Sequence, residues 1–317
     1  MRCAIAAFAL VAAGGVLAQA RAGDEAAAPS PLSPLFATLD EALAQRVVGA
    51  DDAPGLWLSG RLAGFDLGAQ ARDFAAAAAR DPKEPLFVAS LADACMRPAA
   101  PVPPECAARD AVGYWASREP DNAVPWLLQA ERARRRNATG AMIDNLERAA
   151  VSARYDDHGG RGAAVAWRRV EPLVAPADRA AGMLYALTYA GGIGAPLSAV
   201  ENVCGVASRS LDPRVPAACA RLGTMMAESG ASFGARRAGV QVALAAAAGE
   251  AERASVNETA RGVVAAQERC RDARNALERD ALAAPAARAA AATRAERYVA
   301  SLAARGEVAA CAELAGR

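Results

Sequence analysis

The chain has 317 residues, a formal net charge of +1 and a hydrophobic content of 54%, of which much is alanine and little is aromatic (5%). This length is enough for one large domain or two small ones. The near-neutral charge disfavours nucleic-acid binding, which requires a concentrated basic surface. Because alanine is the best helix former and β-branched residues are sparse, the composition predicts an all-α protein.

The N-terminus has the features of a bacterial secretory signal peptide. Arg2 supplies a positive charge, residues 3–17 form an apolar segment, and Ala18-Gln19-Ala20 or Ala20-Arg21-Ala22 offers a cleavage site. We expect residues 1–22 to be removed on export and the mature protein to be periplasmic or secreted. A retained membrane anchor is the alternative for this segment, and the later sequence predicts no integral membrane span.

The rest of the chain divides into a short lead-in and two helical regions. Residues 23–34 are rich in alanine, proline and serine and predict a flexible segment. From about Leu35 onward, clusters of glycine and proline separate stretches of ordinary helix length. We expect residues 35–249 to form a domain of antiparallel helix hairpins and residues 250–317 to form a C-terminal helical hairpin packed on it.

Two similar segments begin 38 residues apart. Residues 78–82 and 116–120 each read as the end of a helix followed by arginine, an acidic residue and proline, and each precedes an apolar helix start. Proline just beyond a helix end stops the helix because it lacks the N–H that the next hydrogen bond requires. The interval lies in the range of helix-hairpin repeats.

Residues 121–150 resemble one tetratricopeptide repeat, and residues 69–96 are a weaker second copy. The residues that carry the resemblance are Trp126, Ala130, Gly140, Leu146 and Ala149. Met142 departs from it, because a small residue is usual at that position. The resemblance implies stacked helix hairpins, as in an α-solenoid, and by analogy a binding role.

Six cysteines follow the signal peptide, and export would place them in an oxidising compartment. In an antiparallel hairpin, residues equally far from the turn lie side by side, since both helices rise by the same amount per residue. Cys204 and Cys219 lie symmetrically about a turn, and Cys95 and Cys106 flank a proline-rich loop. The spacing therefore predicts Cys95–Cys106 and Cys204–Cys219 disulfides.

The third predicted disulfide, Cys270–Cys311, requires three helices. One helix would run through Cys270 to about Ala283, and a second would return from Pro285 to about Ala304. A stop at Gly306 and a short third helix would bring Cys311 back to the level of Cys270. A metal site is the alternative for these cysteines, but C-x-x-C spacing and nearby histidine are both missing.

His158 is the only histidine, so the sequence excludes a site with two histidine ligands. It lies in Tyr155-Asp156-Asp157-His158, where adjacent carboxylates could raise its pKa or help to hold a cation. We interpret this segment as a solvated loop that closes a hairpin, because no partner nucleophile is identifiable.

Other residues are candidates for a binding surface. Tyr114 could line a groove, and the basic run at residues 132–136 could bind an acidic partner, although a solvated helix C-terminus also explains that run. Gly191-Gly192-Ile193-Gly194 is interpreted as a turn between helices, because no strand precedes it. The candidate surface comprises Tyr114, Arg132, Arg135, Tyr155, Asp156, Asp157 and His158.

These patterns predict no catalytic residue, cofactor or metal ligand, and we expect a protein that binds an envelope protein or peptide on a concave helix face. Two other hypotheses stay open. One is an enzyme of the cell envelope whose acid or base is a carboxylate, and the other is a carrier of a small ligand or lipid built from the alanine-rich C-terminal helices.

Overall fold

The computed structural model describes residues 32–98, 101–190 and 194–316, and all regular secondary structure in these ranges is helical. The all-α prediction is therefore confirmed. The predicted signal peptide, most of the predicted lead-in, and residues 191–193 of the predicted glycine turn lie outside the described residues. The first helix begins at Ser33, two residues before the expected start near Leu35.

Helices follow one another through short connections. The α-helices, numbered in chain order, are Ser33–Val47 (α1), Ala53–Leu62 (α2), Leu67–Arg80 (α3), Pro85–Met96 (α4), Pro104–Ala108 (α5), Ala111–Arg118 (α6), Ala123–Arg135 (α7), Thr139–Ala150 (α8), Arg161–Val170 (α9), Arg179–Ala186 (α10), Ala195–Val203 (α11), Val206–Arg209 (α12), Arg214–Ser229 (α13), Phe233–Ala246 (α14), Glu250–Ala281 (α15), Pro285–Arg305 (α16) and Glu307–Leu314 (α17). Short 3-10 helices cover Glu171–Leu173, Pro176–Asp178 and Leu187–Tyr189.

Polar side chains fix where several helices begin. Asp52, Asp66 and Ser232 each accept a hydrogen bond from the backbone N–H three residues later, at 2.8, 2.9 and 3.1 Å. Each bond satisfies one of the N–H groups that the first turn of a helix leaves without a partner. Proline occupies one of the first two positions of α1, α2 and α4, where a missing N–H costs nothing.

Helices α13 and α14 form a hairpin in which two backbones almost touch. A Cβ atom placed on Gly223 of α13 would lie 2.7 Å from the backbone N of Ala243 and 2.9 Å from the carbonyl O of Gly239, both in α14. These distances are too short for a carbon atom. Glycine at position 223 is therefore what allows this close approach.

The tetratricopeptide-like segment folds as two helices, α7 and α8. Asn137 makes the turn between them with a φ of 56°, a left-handed conformation that asparagine tolerates better than most residues. Gly140 lies in the first turn of α8, and not between the helices as the resemblance implies. Met142, which departs from the repeat pattern, is fully buried.

One large hydrophobic cluster extends from α1 to α14, with Trp57 and Trp115 (each 1% exposed) among its largest side chains. Helices α15, α16 and α17 contribute to two smaller clusters. One surrounds Phe233, Tyr298 and Leu302, and the other surrounds Leu277 and lies partly on α10. The C-terminal helices therefore pack on the preceding region through α9, α10 and α14.

Three disulfides join the pairs that the cysteine spacing predicts. The Cα–Cα distances are 5.3 Å for Cys95–Cys106, 5.7 Å for Cys204–Cys219 and 5.0 Å for Cys270–Cys311. The third pair links α15 to α17, and Gly306 reverses the chain between α16 and α17 with a φ of 82°. The first two disulfides close segments that were predicted to be a loop and a turn. The structure has a short helix in each of these segments, α5 in the first and α12 in the second.

Candidate functional site

The segment between α8 and α9 contains four of the predicted surface residues and is fixed to the turn before α7. Asn122, which is fully buried, donates from Nδ2 to the carbonyl O of Asp156 at 2.7 Å. Its Oδ1 accepts from the backbone N–H of Asp156 at 3.1 Å. The backbone N–H of Ala123 donates to the carbonyl O of Arg154 at 2.8 Å. These bonds satisfy backbone groups that a non-helical segment would otherwise leave unpaired.

His158 lies within this segment and is only 3% exposed. Its Nε2 is 2.9 Å from both carboxylate oxygens of Glu119, which follows α6. Its Nδ1 lies 3.2 Å from Oδ2 of Asp156, as an ion pair without the alignment of a hydrogen bond. The interpretation of His158 as a solvated loop residue is therefore wrong, because two carboxylates from different parts of the chain enclose its ring.

The two carboxylates set the charge of His158. Burial alone would lower its pKa, but interactions with Asp156 and Glu119 outweigh burial and raise the pKa to about 9. Burial would raise the pKa of Glu119, yet hydrogen bonds from His158, Asn122 and Trp115 lower it to about 2. At neutral pH the pair is therefore an imidazolium ion beside a carboxylate.

Arg154 completes the charge network. Its guanidinium lies 3.2 Å from Glu119, 3.2 Å from Asp121 and 3.5 Å from Asp156. The two cations, Arg154 and His158, thus face three carboxylates. Because removing one member would leave another charge partly buried and unpaired, this network stabilises one arrangement of α6, the turn before α7 and the loop before α9.

Tyr155 and Asp157 are also buried, at 1% and 6% exposure. The prediction that they belong to an exposed surface is therefore wrong. The hydroxyl of Tyr155 has no hydrogen-bond partner in the described ranges. Oδ1 of Asp157 accepts from the backbone N–H of Gly159 at 2.9 Å. Burial raises the pKa of Asp157 to about 6; this N–H opposes the shift and the nearby Asp156 adds to it.

A cavity of about 280 Å³ lies beside Asp156, Asp157 and His158. Leu302 of α16 and Glu307 of α17 form part of its wall, so the loop before α9 faces the C-terminal helices. Partner binding by these loop residues stays a prediction. A ligand here would contact the loop before α9 and the C-terminal helices together.

The other three predicted surface residues lie elsewhere. Tyr114 is exposed on α6. Arg132 forms an ion pair with Asp110. Arg135 pairs with Glu131 at 2.8 Å and donates to the carbonyl O of Met96 at 2.5 Å.

Glu131 explains much of the basic run at the end of α7. It is 1% exposed and accepts hydrogen bonds from Arg134 and Arg135. Asn202 of α11 donates to it at 3.1 Å. Burial would raise the pKa of Glu131, but the two arginines hold it below its ordinary value. Part of the basic run is therefore structural, since it neutralises a buried carboxylate.

A cleft of about 730 Å³ lies along α15, and we call it the α15 cleft. Its apolar lining comes from four helices and comprises Phe36 of α1, Leu184 of α10, Phe233 of α14 and Val264 of α15. Phe233 is buried, whereas Val264 is half exposed. The cleft therefore has apolar side chains that solvent can reach.

The polar lining of the α15 cleft includes charges of both signs. Arg237, Arg271 and Arg274 are on its walls together with Glu268 and Glu278. Amide side chains of Gln267 and Asn275 also line it. The cleft can thus both donate and accept hydrogen bonds along its length.

This cleft is not predictable from the sequence. The spacing of Val264, Arg271 and Glu278 along one face of a long helix is visible in the sequence, but it does not show which helices stand opposite. Glu119 was likewise missed as a partner of His158. Its only sequence signal is an acidic residue before Pro120, and the separation of 39 positions between Glu119 and His158 gives no indication of contact.

Two further classes of site can be assessed for the described part of the chain. No group of three or more His, Cys, Asp or Glu residues there could hold a metal ion. Within the same ranges, the helices lack the combination of length and apolar character needed to cross a bilayer.

The fold and the cleft define an all-α, disulfide-linked protein with an open cleft along α15. Comparisons with protein-family models, with curated proteins and with solved structures find no match for this chain.

Proposed function

We propose that this chain is an exported bacterial envelope protein that binds a peptide or an extended protein segment in the α15 cleft. The three disulfides support this location, because disulfides persist in oxidising compartments. In this proposal the helix hairpins stack as an α-solenoid scaffold, and the tetratricopeptide-like segment is one of its units.

The observation that carries the proposal is the shape and chemistry of the cleft. Val264, Gln267, Arg271, Arg274 and Glu278 follow one another at intervals of three or four residues, so they share one face of α15. Fourteen residues of helix rise by about 21 Å. A groove of that length accommodates about six residues of extended peptide at ~3.3 Å each.

The mixed lining favours a peptide over a lipid. A peptide backbone presents N–H and C=O groups that can pair with the amides of Gln267 and Asn275, and its side chains can contact Phe36 and Phe233. An acyl chain in the same place would offer no hydrogen-bonding group to the amides of Gln267 and Asn275, which is unfavourable.

Selection of peptides on the purified mature protein tests the proposal. A displayed library of random twelve-residue peptides is the probe, and enriched peptides are then synthesised for calorimetric titration. Val264→Glu should weaken their binding at least tenfold, because it places a charge among the apolar contacts. Val206→Glu is the matched control, since Val206 is 84% exposed and lies outside the cleft.

Binding that survives in Val264→Glu, or that Val206→Glu weakens equally, would show that the peptides do not occupy the cleft. Failure to enrich any peptide would count against peptide binding itself.

A second candidate function is favoured by Asp157. A buried carboxyl with a pKa raised to about 6 lies beside Asp156, whose pKa is lowered mainly by His158 against the opposing effect of burial. Two neighbouring carboxyl groups with divergent pKa values are a pattern found in enzymes that use one as an acid and the other as a base. We therefore retain a carboxylate-dependent hydrolase of the cell envelope as the alternative.

Turnover of purified peptidoglycan by the mature protein tests this alternative. Activity that Asp157→Asn abolishes and Asp144→Asn leaves intact would support it; Asp144 is an exposed control on α8. Failure of the wild-type protein to release any soluble fragment would eliminate it.

A further inference from the structure

A third cavity, of about 330 Å³, lies between α2, α3 and α4 and has mostly polar walls. Its polar lining residues are Arg61, Gln70, Ser90, Asp93 and Arg97. We call it the Arg61–Arg97 pocket. Neither the α15 cleft nor the cavity beside Asp157 includes these five residues.

Arg97 is held in place but not fully satisfied. Its Nη2 donates to Oε1 of Gln70 and lies 3.4 Å from Oδ2 of Asp93. Its Nε is buried and has no hydrogen-bond partner in the described part of the chain. A buried N–H of a charged group without an acceptor is costly, so the charge of Arg97 is incompletely compensated within the protein.

Arg61 brings a second guanidinium to the same pocket. It lies over the ring of Trp57, with 5.9 Å between its Cζ and the ring centroid. Although Arg61 as a residue is exposed, the pocket walls shield its guanidinium, and this burial lowers its pKa. Asp93 opposes the shift and Arg97 adds to it, so the two arginines are close enough to repel each other.

The carboxylate of Asp93 does not balance both arginines. Its Oδ1 accepts from the backbone N–H of Ala195 at 2.8 Å, and its Oδ2 faces Arg97. Both oxygens are thus engaged before Arg61 is considered. The pocket has two positive charges and one negative charge, and this excess favours an anion.

Ser90 adds a neutral donor to the pocket. Its Oγ accepts a hydrogen bond from Nε1 of Trp57 at 2.9 Å and is buried. A hydroxyl that accepts one hydrogen bond still has its own proton to donate. Guanidinium groups with an additional hydroxyl donor are well suited to the planar or tetrahedral oxygens of carboxylates and phosphates.

We propose that the Arg61–Arg97 pocket binds a small oxyanion group, a phosphate or a carboxylate, between the two guanidinium groups. The bound oxygen atoms accept from the guanidinium groups of Arg61 and Arg97 and from Ser90. Such binding neutralises the excess charge.

Calorimetric titration of the mature protein in Tris chloride at pH 7.5 and constant ionic strength tests this site. The probes are inorganic phosphate, glycerol 2-phosphate and acetate, with chloride as the reference anion. Saturable binding of inorganic phosphate alone identifies free phosphate as the group recognised. Saturable binding of both phosphate compounds identifies a phosphate monoester, and saturable binding of acetate identifies a carboxylate. Each of these outcomes supports the site.

Two variants locate the binding, and a third serves as control. Arg97→Gln and Arg61→Gln should each weaken binding at least tenfold, whereas Arg253→Gln on the exposed first turns of α15 should leave it unchanged. If Arg97→Gln unfolds because Asp93 loses its partner, the exposed Arg61→Gln still provides the test. No saturable binding of any probe, or equal binding by wild type and Arg61→Gln, would overturn the proposal.

Discussion

Nε2 of His158 lies 2.9 Å from the carboxylate of Glu119, 39 residues earlier in the chain. This ion pair joins the loop before α9 to the end of α6, and the surrounding structure excludes most water from it. Glu119→Ala should lower the free energy of unfolding by about 3–5 kcal/mol, because it removes the carboxylate in contact with Nε2 of a buried imidazolium and leaves Asp156 as its counter-ion.

Chemical denaturation at pH 7 measures this loss. Glu258→Ala is the control, since Glu258 pairs with Arg261 on an exposed face of α15. The control should change stability by less than about 1 kcal/mol. Equal effects of the two substitutions would contradict a structural role for the Glu119–His158 pair.

The charge of His158 predicts a specific pH dependence. A histidine whose pKa is higher in the folded state than in the unfolded state stabilises the folded protein. For His158 this contribution is complete below the pKa of the unfolded state and is lost as pH rises through about 9. Because His158 is the only histidine, its ring proton signals in an NMR titration need no assignment. We expect a midpoint near 9 in the folded protein; a midpoint near the ordinary value of about 6.5 would refute the buried ion pair.

Asp157 should act in the opposite sense. Its folded pKa of about 6 is above the ordinary value, so ionisation is less favourable in the folded state and stability falls as pH rises from about 4 through 6. Asp157→Asn should therefore raise the unfolding free energy at pH 8 by about 2–3 kcal/mol, given ~1.4 kcal/mol per pKa unit. At pH 3 to 4 the variant should gain little.

Urea unfolding of the Asp157→Asn protein across this pH range provides the comparison, with Asp144→Asn as an exposed control. A stability gain that is the same at acid and neutral pH would argue against a raised pKa for Asp157.

The contact between α13 and α14 predicts opposite effects for two glycine substitutions. Gly223→Ala should destabilise by about 1–3 kcal/mol, since its Cβ would meet the backbone of α14. Gly262→Ala in α15 should stabilise the folded protein by up to about 1 kcal/mol. A Cβ atom at this position would have no neighbouring atom within 4 Å, and alanine is the better helix former. Thermal unfolding of the two variants would distinguish these signs, and destabilisation by both would contradict the packing.

The disulfide pattern makes a covalent prediction. Peptide mapping without reduction should recover only Cys95–Cys106, Cys204–Cys219 and Cys270–Cys311. Replacing Cys204 and Cys219 together by serine should cost about 3 kcal/mol, as expected for a closed loop of about 15 residues. Peptides joined between different pairs, or free thiols in the protein purified under oxidising conditions, would contradict the fold.

Local spacing accounts for the features that the sequence predicted well. The Cys204–Cys219 pair depends only on a short helical turn, and α16 begins at Pro285 because proline fits the first turn of a helix. The burial of His158 was not predictable in this way. Its polar neighbours in sequence suggest a loop in water, whereas the residue that pairs with it is contributed by another helix.

The sequence by itself determined that this chain is helical, where several helices start and stop, and which cysteines pair, because these properties depend on helix propensity, on capping residues and on the equal rise of helices that follow one another in the chain. Only the tertiary structure decided that Glu119 meets His158, that Arg61 approaches Arg97, and that Phe36 and Phe233 face α15. Such contacts join residues far apart in the chain. They follow from how helices pack against one another, and residue spacing within a single helix does not specify its neighbours.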